Sequence, residues 1–313
     1  MIATSAIDNS LEGVSLTLAE LLQLELRTRH ASTPRYVDAP GGTQYRTRLK
    51  GRGMDYDETR SYQPGDEIRH MDWRVMARTG KPHTKVFRAE RERPVLLLLD
   101  QTLPMFFGSR HALKSVLAGR LFARALWRAL AGGDRVGARL FAEHGALQFT
   151  PAHRRSLAIH VLSALVKNHQ QQLQGVAHDN TDTENLLQQQ WQALRSQALH
   201  GFQIQAFVNL MSLDENQYAA MAWLAKHNEL RLYPLYDQLE AELPPPGHYL
   251  GTDGHARLLL NTADAVLREQ YRARFADRES ALLQFCRQHG VVCLPLSVSD
   301  GLAQGLKQFE AAA

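Results

Sequence analysis

Asp100 ends the apolar run PVLLLLD (94–100), and a hydroxyl, Thr102, follows two positions later. A carboxylate and a hydroxyl so spaced are hard oxygen donors, the kind magnesium takes in near-octahedral geometry. The next position of the same alternation, Pro104, carries no hydroxyl, so this loop alone offers an incomplete ligand set. A second concentration of chemistry lies in RSYQPGDEIRHMDWRVMAR (60–78), where Arg60, Asp66, Glu67, Arg69, Asp72, Arg74 and Arg78 intersperse both signs of charge. The planar arginine fork pairs with carboxylate at two points, so a network of Arg69, Asp72 and Arg78 fits the spacing. Gln63-Pro64-Gly65-Asp66 suits a tight turn, and Trp73 supplies a large apolar anchor with one N–H donor. The segment reads either as a clamp with Trp73 in the core or as an exposed docking surface. Both readings combine if Trp73 and Asp72 lie inside while Arg74 and Arg78 lie outside.

Other chemistries find less support. The chain has 14 histidines, yet no HExxH or comparable metal spacing occurs. No GxxxxGK[ST] is present, and Gly51-Arg52-Gly53 lacks the strand and helix that a phosphate-binding loop needs. There is no GxSxG elbow and no nucleophilic cysteine setting. YRTRLKGRGMDY (45–56) mixes basic and aromatic residues as single-strand nucleic-acid binders do, but Asp55, Asp57 and Glu58 weaken that reading.

The elements that must position these groups are regular from residue 94 onward. The continuous apolar run before Asp100 is that of a strand buried on both faces. Residues 111–133 carry apolar side chains at helical spacing and stop at Gly132–Gly133. Strands are expected at 134–142, 145–150 (as a hairpin partner), 202–210, 229–237 and 291–298. Helices are expected at 154–169, 183–199, 214–228, a long one with Thr262 as N-cap and Gly290 at its end, and 301–310. The Gln-rich stretch 168–180 and AELPPPGHY (241–249) read as loops. Residues 15–29 form a short amphipathic helix, whereas 34–93 show little periodicity and read as short strands and turns. Alternating strands and helices imply an α/β fold, a doubly wound, mostly parallel sheet covered on both faces, behind an N-terminal irregular, β-rich extension. Such sheets bind ligands beyond the carboxyl ends of their strands, where Asp100 stands. The expected division is 1–93 and 94–313.

Bulk composition is that of an ordinary globular chain of 313 residues, 44% hydrophobic and 22% charged. Its net charge of +4 is too modest to imply nucleic acid by itself. Residues 44–94, however, hold 13 Lys/Arg against 8 Asp/Glu, a local excess of five that exceeds the whole chain's. That stretch is the candidate for meeting an acidic partner. Cys286 and Cys293 form no CxxC and read as reduced thiols. No basic segment leads into an apolar core at the N-terminus, and no apolar run approaches the length of a membrane span, so a cytoplasmic location without membrane insertion is expected.

The 60–100 stretch resembles the bacterial family called domain of unknown function 58. The matching residues are Arg60, Tyr62, Pro64, Gly65, Asp66, Arg69, Asp72, Trp73, Ala77, Arg78 and Glu90, with Met71 where isoleucine is usual. The resemblance implies a von Willebrand factor A-like, Rossmann-type domain and a MoxR-type AAA+ ATPase as partner. It implies an adaptor that recruits or remodels a client, not an enzyme, with Arg60, Tyr62, Gly65, Asp66, Arg69, Asp72, Trp73, Arg74 and Arg78 as interaction motif. It also implies a metal site drawn from three loops. Asp100 and Thr102 match the first, and Thr181 in NTDTENLL (180–187) matches the second, although Thr181-x-x-Glu184 is equally a helix capping box. After FQIQAFVNL the usual Ser-Asp pair is missing, and a carboxylate appears only at Asp214. The expected site is therefore degenerate, binding magnesium weakly or not at all and needing no cofactor. Nucleic-acid binding through 44–93 and metal-dependent catalysis stand as the alternatives; the oligomeric state is left open.

Overall fold

A computed structural model describes residues 13–31, 54–63, 68–89, 94–143, 145–175, 183–252 and 257–312. The chain forms two units, Met1–Thr33 with Arg93–Ala313, and Pro34–Glu92 between them.

The larger unit opens with helix α1 (Leu18–Ala31). The smaller unit holds an antiparallel pair, β1 (Met54–Ser61) and β2 (His83–Ala89), with α2 (Trp73–Thr79) between them. Asp72 explains where α2 begins. Its carboxylate accepts the N–H groups of Arg74 and Val75 at 3.1 and 3.2 Å, two of the donors that a helix start leaves unpaired. Gly80, at φ 70°, ends the helix in the left-handed conformation and returns its N–H to Met76. The Asp72 N–H donates to the His83 carbonyl at 2.8 Å, which pins the helix start to β2.

The rest of the larger unit runs β3 (Val95–Asp100), α3 (Lys114–Ala131), β4 (Val136–Ala142), β5 (Gly145–Ala152), α4 (Arg155–Leu173), α5 (Thr183–Ser196) and β6 (Gln203–Asn209). It continues with α6 (Glu215–His227), β7 (Glu229–Tyr236), α7 (Gln238–Ala241), β8 (His248–Thr252), β9 (Arg257–Asn261), α8 (Ala265–His289), β10 (Val292–Cys293), β11 (Leu296–Ser297) and α9 (Leu302–Ala312). The sheet has the order β10-β7-β6-β3-β4-β5, with β11 also on β7. Every pairing in it is parallel except β4 with β5, the expected hairpin.

The side chains of β3 show why its sequence is apolar throughout. Val95, Leu97 and Leu99 pack on one face with residues of α1, α3, α4 and α9, and Leu96 and Leu98 on the other with α5, α6 and α8. Helices thus cover both faces, as the continuous run requires. Each of these buried leucines contributes roughly 2 kcal/mol of transfer free energy.

Several expectations change. Helix α1 belongs with the sheet and not with the β-rich segment: Leu21 and Leu24 are buried, and the Trp127 indole donates to the Leu21 carbonyl at 2.9 Å. An amphipathic helix has to bury its apolar stripe, and α3 offers the surface. Helix α4 runs on to Leu173, through half of the stretch read as a loop. Asp264, not Thr262, caps α8, accepting from Val266 and Leu267. Thr262 is buried, and its hydroxyl donates to the Pro245 carbonyl at 2.7 Å. Gly290 does end α8, at φ 66°. The antiparallel pair β8–β9 spans the end of the turn-rich connection and the residues up to Asn261, where no element was expected. Among the described residues, no helix is long and apolar enough to cross a membrane.

Candidate functional site

Strand order reverses direction between β3 and β6: the chain leaves β3 toward β4 and β5, then returns to lay down β6 and β7 on the other side. That reversal puts the carboxyl ends of β3 and β6 at the switch point, the place where sheets of this kind form a crevice. Asp100 and Asn209, the last residues of the two strands, meet there.

Asp100 is buried, and both of its oxygens are engaged. Oδ1 accepts from the Thr102 N–H at 2.9 Å and the Thr102 hydroxyl at 2.6 Å. Oδ2 accepts from the Asn209 N–H at 3.3 Å. Burial pushes the carboxyl upward, against the opposing pull of the bonds from Thr102 and Asn209. Pro104 lies in a short 3₁₀ turn, Leu103–Phe106, and adds no donor or acceptor side chain.

Lys114, in the first turn of α3, has no exposed surface. Its ammonium donates to Asn209 Oδ1 at 2.8 Å and to Glu240 Oε1 at 2.5 Å. Desolvation lowers its proton affinity, and the negative charges of Glu240, Asp100 and Asp237 oppose that loss. Asp237 follows β7 and caps α7, accepting from the N–H groups of Leu239 and Ser109 and from the Ser299 hydroxyl. Burial alone would raise its carboxyl, but these bonds outweigh burial and hold it below the ordinary value. The Asn209 amide completes its bonding by donating to the Ser212 hydroxyl at 2.9 Å. One continuous network therefore joins the ends of β3, β6, β7 and β11.

The expected ligands are only partly assembled. Asp100 and Thr102 are adjacent and bonded to each other, while Thr181 lies outside the described residues. Among the described residues, no group of three or more His, Cys, Asp or Glu stands close enough to hold a metal ion. Lys114, Asn209, Asp237 and Glu240 were missed by sequence reasoning. A lysine opening a helix and an aspartate after a strand are ordinary cap-region residues. The one usable signal was position, since Asn209 and Asp237 follow apolar strands as Asp100 does.

The interaction motif lies on the smaller unit. Trp73 is 61% exposed and Ile68 65%, and Arg69, Arg74 and Arg78 are exposed too. The expectation of Trp73 in the core is thus corrected. Trp73 is the first residue of a two-turn helix whose start is tied to β2 through Asp72. Asp72 is buried, as expected. The Arg69–Asp72–Arg78 network does not form, because Asp72 spends its carboxylate on the helix N–H groups, with Lys85 at 4.0 Å. Tyr62 is half-buried and donates its N–H to the Pro82 carbonyl at 3.0 Å. The Arg60 guanidinium lies 3.3 Å from the Ser61 carbonyl. Gly65 and Asp66 lie outside the described residues, as does the basic stretch 45–53.

Comparison with known proteins gives relatives without an assigned activity. The chain is 25% identical over 291 residues to uncharacterized protein Mb1516 of Mycobacterium bovis, an alignment covering 93% of this chain and 89% of that protein. It is equally similar to uncharacterized protein Rv1480 of Mycobacterium tuberculosis. Among solved structures, the conserved hypothetical protein BatB from Bacteroides thetaiotaomicron aligns over 70% of this chain and 99% of its own, at 12% identity and TM-score 0.39. An aerotolerance-related membrane protein from Bacteroides fragilis aligns over the same shares, at 12% identity and TM-score 0.37. Residues 58–281, which hold the whole 60–78 motif and the residues from Asp100 to Glu240, match the family described as "Protein of unknown function DUF58", and the chain belongs to that family.

Proposed function

We propose that this chain is a non-enzymatic cytoplasmic adaptor, a von Willebrand factor A-like α/β unit that docks a MoxR-type AAA+ ATPase through the face of α2 and helps to recruit or remodel a client. The observation that carries the reading is Trp73. It is the largest apolar side chain of the family-type motif, and it stands 61% exposed, with Ile68, Arg69, Arg74 and Arg78 of the same segment also exposed. A tryptophan left in water beside arginines is the composition of a binding hot spot. The local excess of five positive charges favours an acidic partner surface. The crevice supports the same reading from the other side, because its polar groups are spent on one another instead of on an open catalytic pocket.

The test is direct binding of the purified full chain to the purified MoxR-type ATPase of the same organism. Trp73→Ala combined with Arg74→Ala and Arg78→Ala should weaken binding by about 30-fold or more, from the ≥2 kcal/mol typical of one hot-spot residue. Absence of wild-type binding, or a triple variant that binds as wild type, would sink the proposal.

A further inference from the structure

We propose that the Lys114 ammonium is the crevice's own cation: it takes the place a divalent ion would fill at the ends of β3 and β6, and it locks those ends to the turn that opens α7. This inference holds whether or not α2 docks an ATPase.

The donor set does not fit a resident magnesium. Both oxygens of Asp100 already accept protein N–H and O–H groups, and the Thr102 hydroxyl turns its proton toward Asp100 at 2.6 Å. The residue that ends β6 is an amide and not a carboxylate, and its oxygen receives the ammonium at 2.8 Å. Pro104 supplies no oxygen from its side chain. A divalent ion placed among these groups would face a buried ammonium, and that repulsion is strong in a site removed from water.

The ammonium meets the needs of a resident cation instead. It is wholly buried, it has two oxygen acceptors, one at the end of β6 and one in α7, and the carboxylates of Asp100 and Asp237 add attraction through space. Lys114 reaches Asn209 across 95 residues of sequence and Glu240 across 126, so one side chain joins β6 and α7 to the start of α3. A covalently attached cation leaves no metal to lose, and the strand ends stay braced whatever the ionic conditions.

The test uses the full-length chain and reads its thermal unfolding midpoint. Wild type should show the same midpoint in magnesium, in manganese and in chelator. Lys114→Ala should lower it by roughly 5–15 °C, the cost of leaving a buried partner unpaired in a chain of this size. Propylammonium should restore part of that loss, and propanol at the same concentration should not, because only the former returns a charge to the cavity. Lys114→Met keeps the bulk without the charge and should also unfold earlier than wild type. Should Lys114→Ala fail to fold, Lys114→Met and the wild-type metal titration still decide. The inference is overturned if magnesium or manganese stabilises wild type in a manner that Asp100→Ala abolishes. It is overturned equally if Lys114→Met matches wild-type stability, or if a folded Lys114→Ala gains as much from propanol as from propylammonium.

Discussion

Asp72 and Trp73 are neighbours in sequence with opposite fates. The carboxylate of Asp72 is buried because a helix start leaves N–H groups that need an acceptor. Trp73 is exposed because nothing in the smaller unit's described residues covers it. The two should therefore separate cleanly in stability measurements. Asp72→Ala should cost about 1 kcal/mol, the usual value of an N-cap. Trp73→Ala should stay within about 0.5 kcal/mol of wild type, as for surface positions away from special features. Urea unfolding of the two variants checks both. A loss at Trp73 as large as at Asp72 would assign the indole a packing role.

Helix α7 is held by a cap that also serves the network. Asp237 follows β7, caps α7 and accepts from Ser109 and Ser299, so one carboxylate ties three segments together. Its proton affinity in the folded chain is lowered from 3.8. A carboxyl lowered by folding contributes stability that is complete above its unfolded value, and the contribution is lost as pH falls through the folded value. Wild type should accordingly lose stability as pH drops below about 4. Asp237→Asn should be less stable at neutral pH and should lose less over the same acid window. Denaturant midpoints taken from pH 7 downward measure the difference. Parallel curves for the two proteins would show that Asp237 does not contribute to the acid limb.

At the scale of the whole molecule, the smaller unit is an excursion between α1 and β3, and the larger unit is made of two separate stretches of chain. The core that covers one face of the sheet includes Leu16 and Leu21 from before the excursion. The close approach is visible at Gly119, where a Cβ would come within 2.5 Å of Leu16 Cδ1. The Leu113 N–H also donates to the Gly13 carbonyl at 2.8 Å, which steadies the loop leading into α3 and Lys114. Leu21→Ala should destabilise the larger unit by about 2–5 kcal/mol, the cost of a cavity in a packed core. Differential scanning calorimetry would report that loss. A helix that merely trailed the sheet would tolerate the change.

The amino-acid sequence by itself determined the β3 strand, the α3 and α8 helices with their glycine ends, the parallel sheet, and the placing of Asp100 at its carboxyl edge. These follow from short-range rules: a run buried on both faces must be apolar throughout, a helix buried on one face repeats at its turn, and glycine enters left-handed backbone at little cost. The tertiary structure decided the rest. The bonds of Lys114 to Asn209 and Glu240 span 95 and 126 residues, and no local pattern encodes which strand ends the topology brings together. The membership of α1 depended on which apolar face α3 left available, and the exposure of Trp73 on what the described residues of the smaller unit leave uncovered. Periodicity records that a side chain must be covered; only the fold selects what covers it.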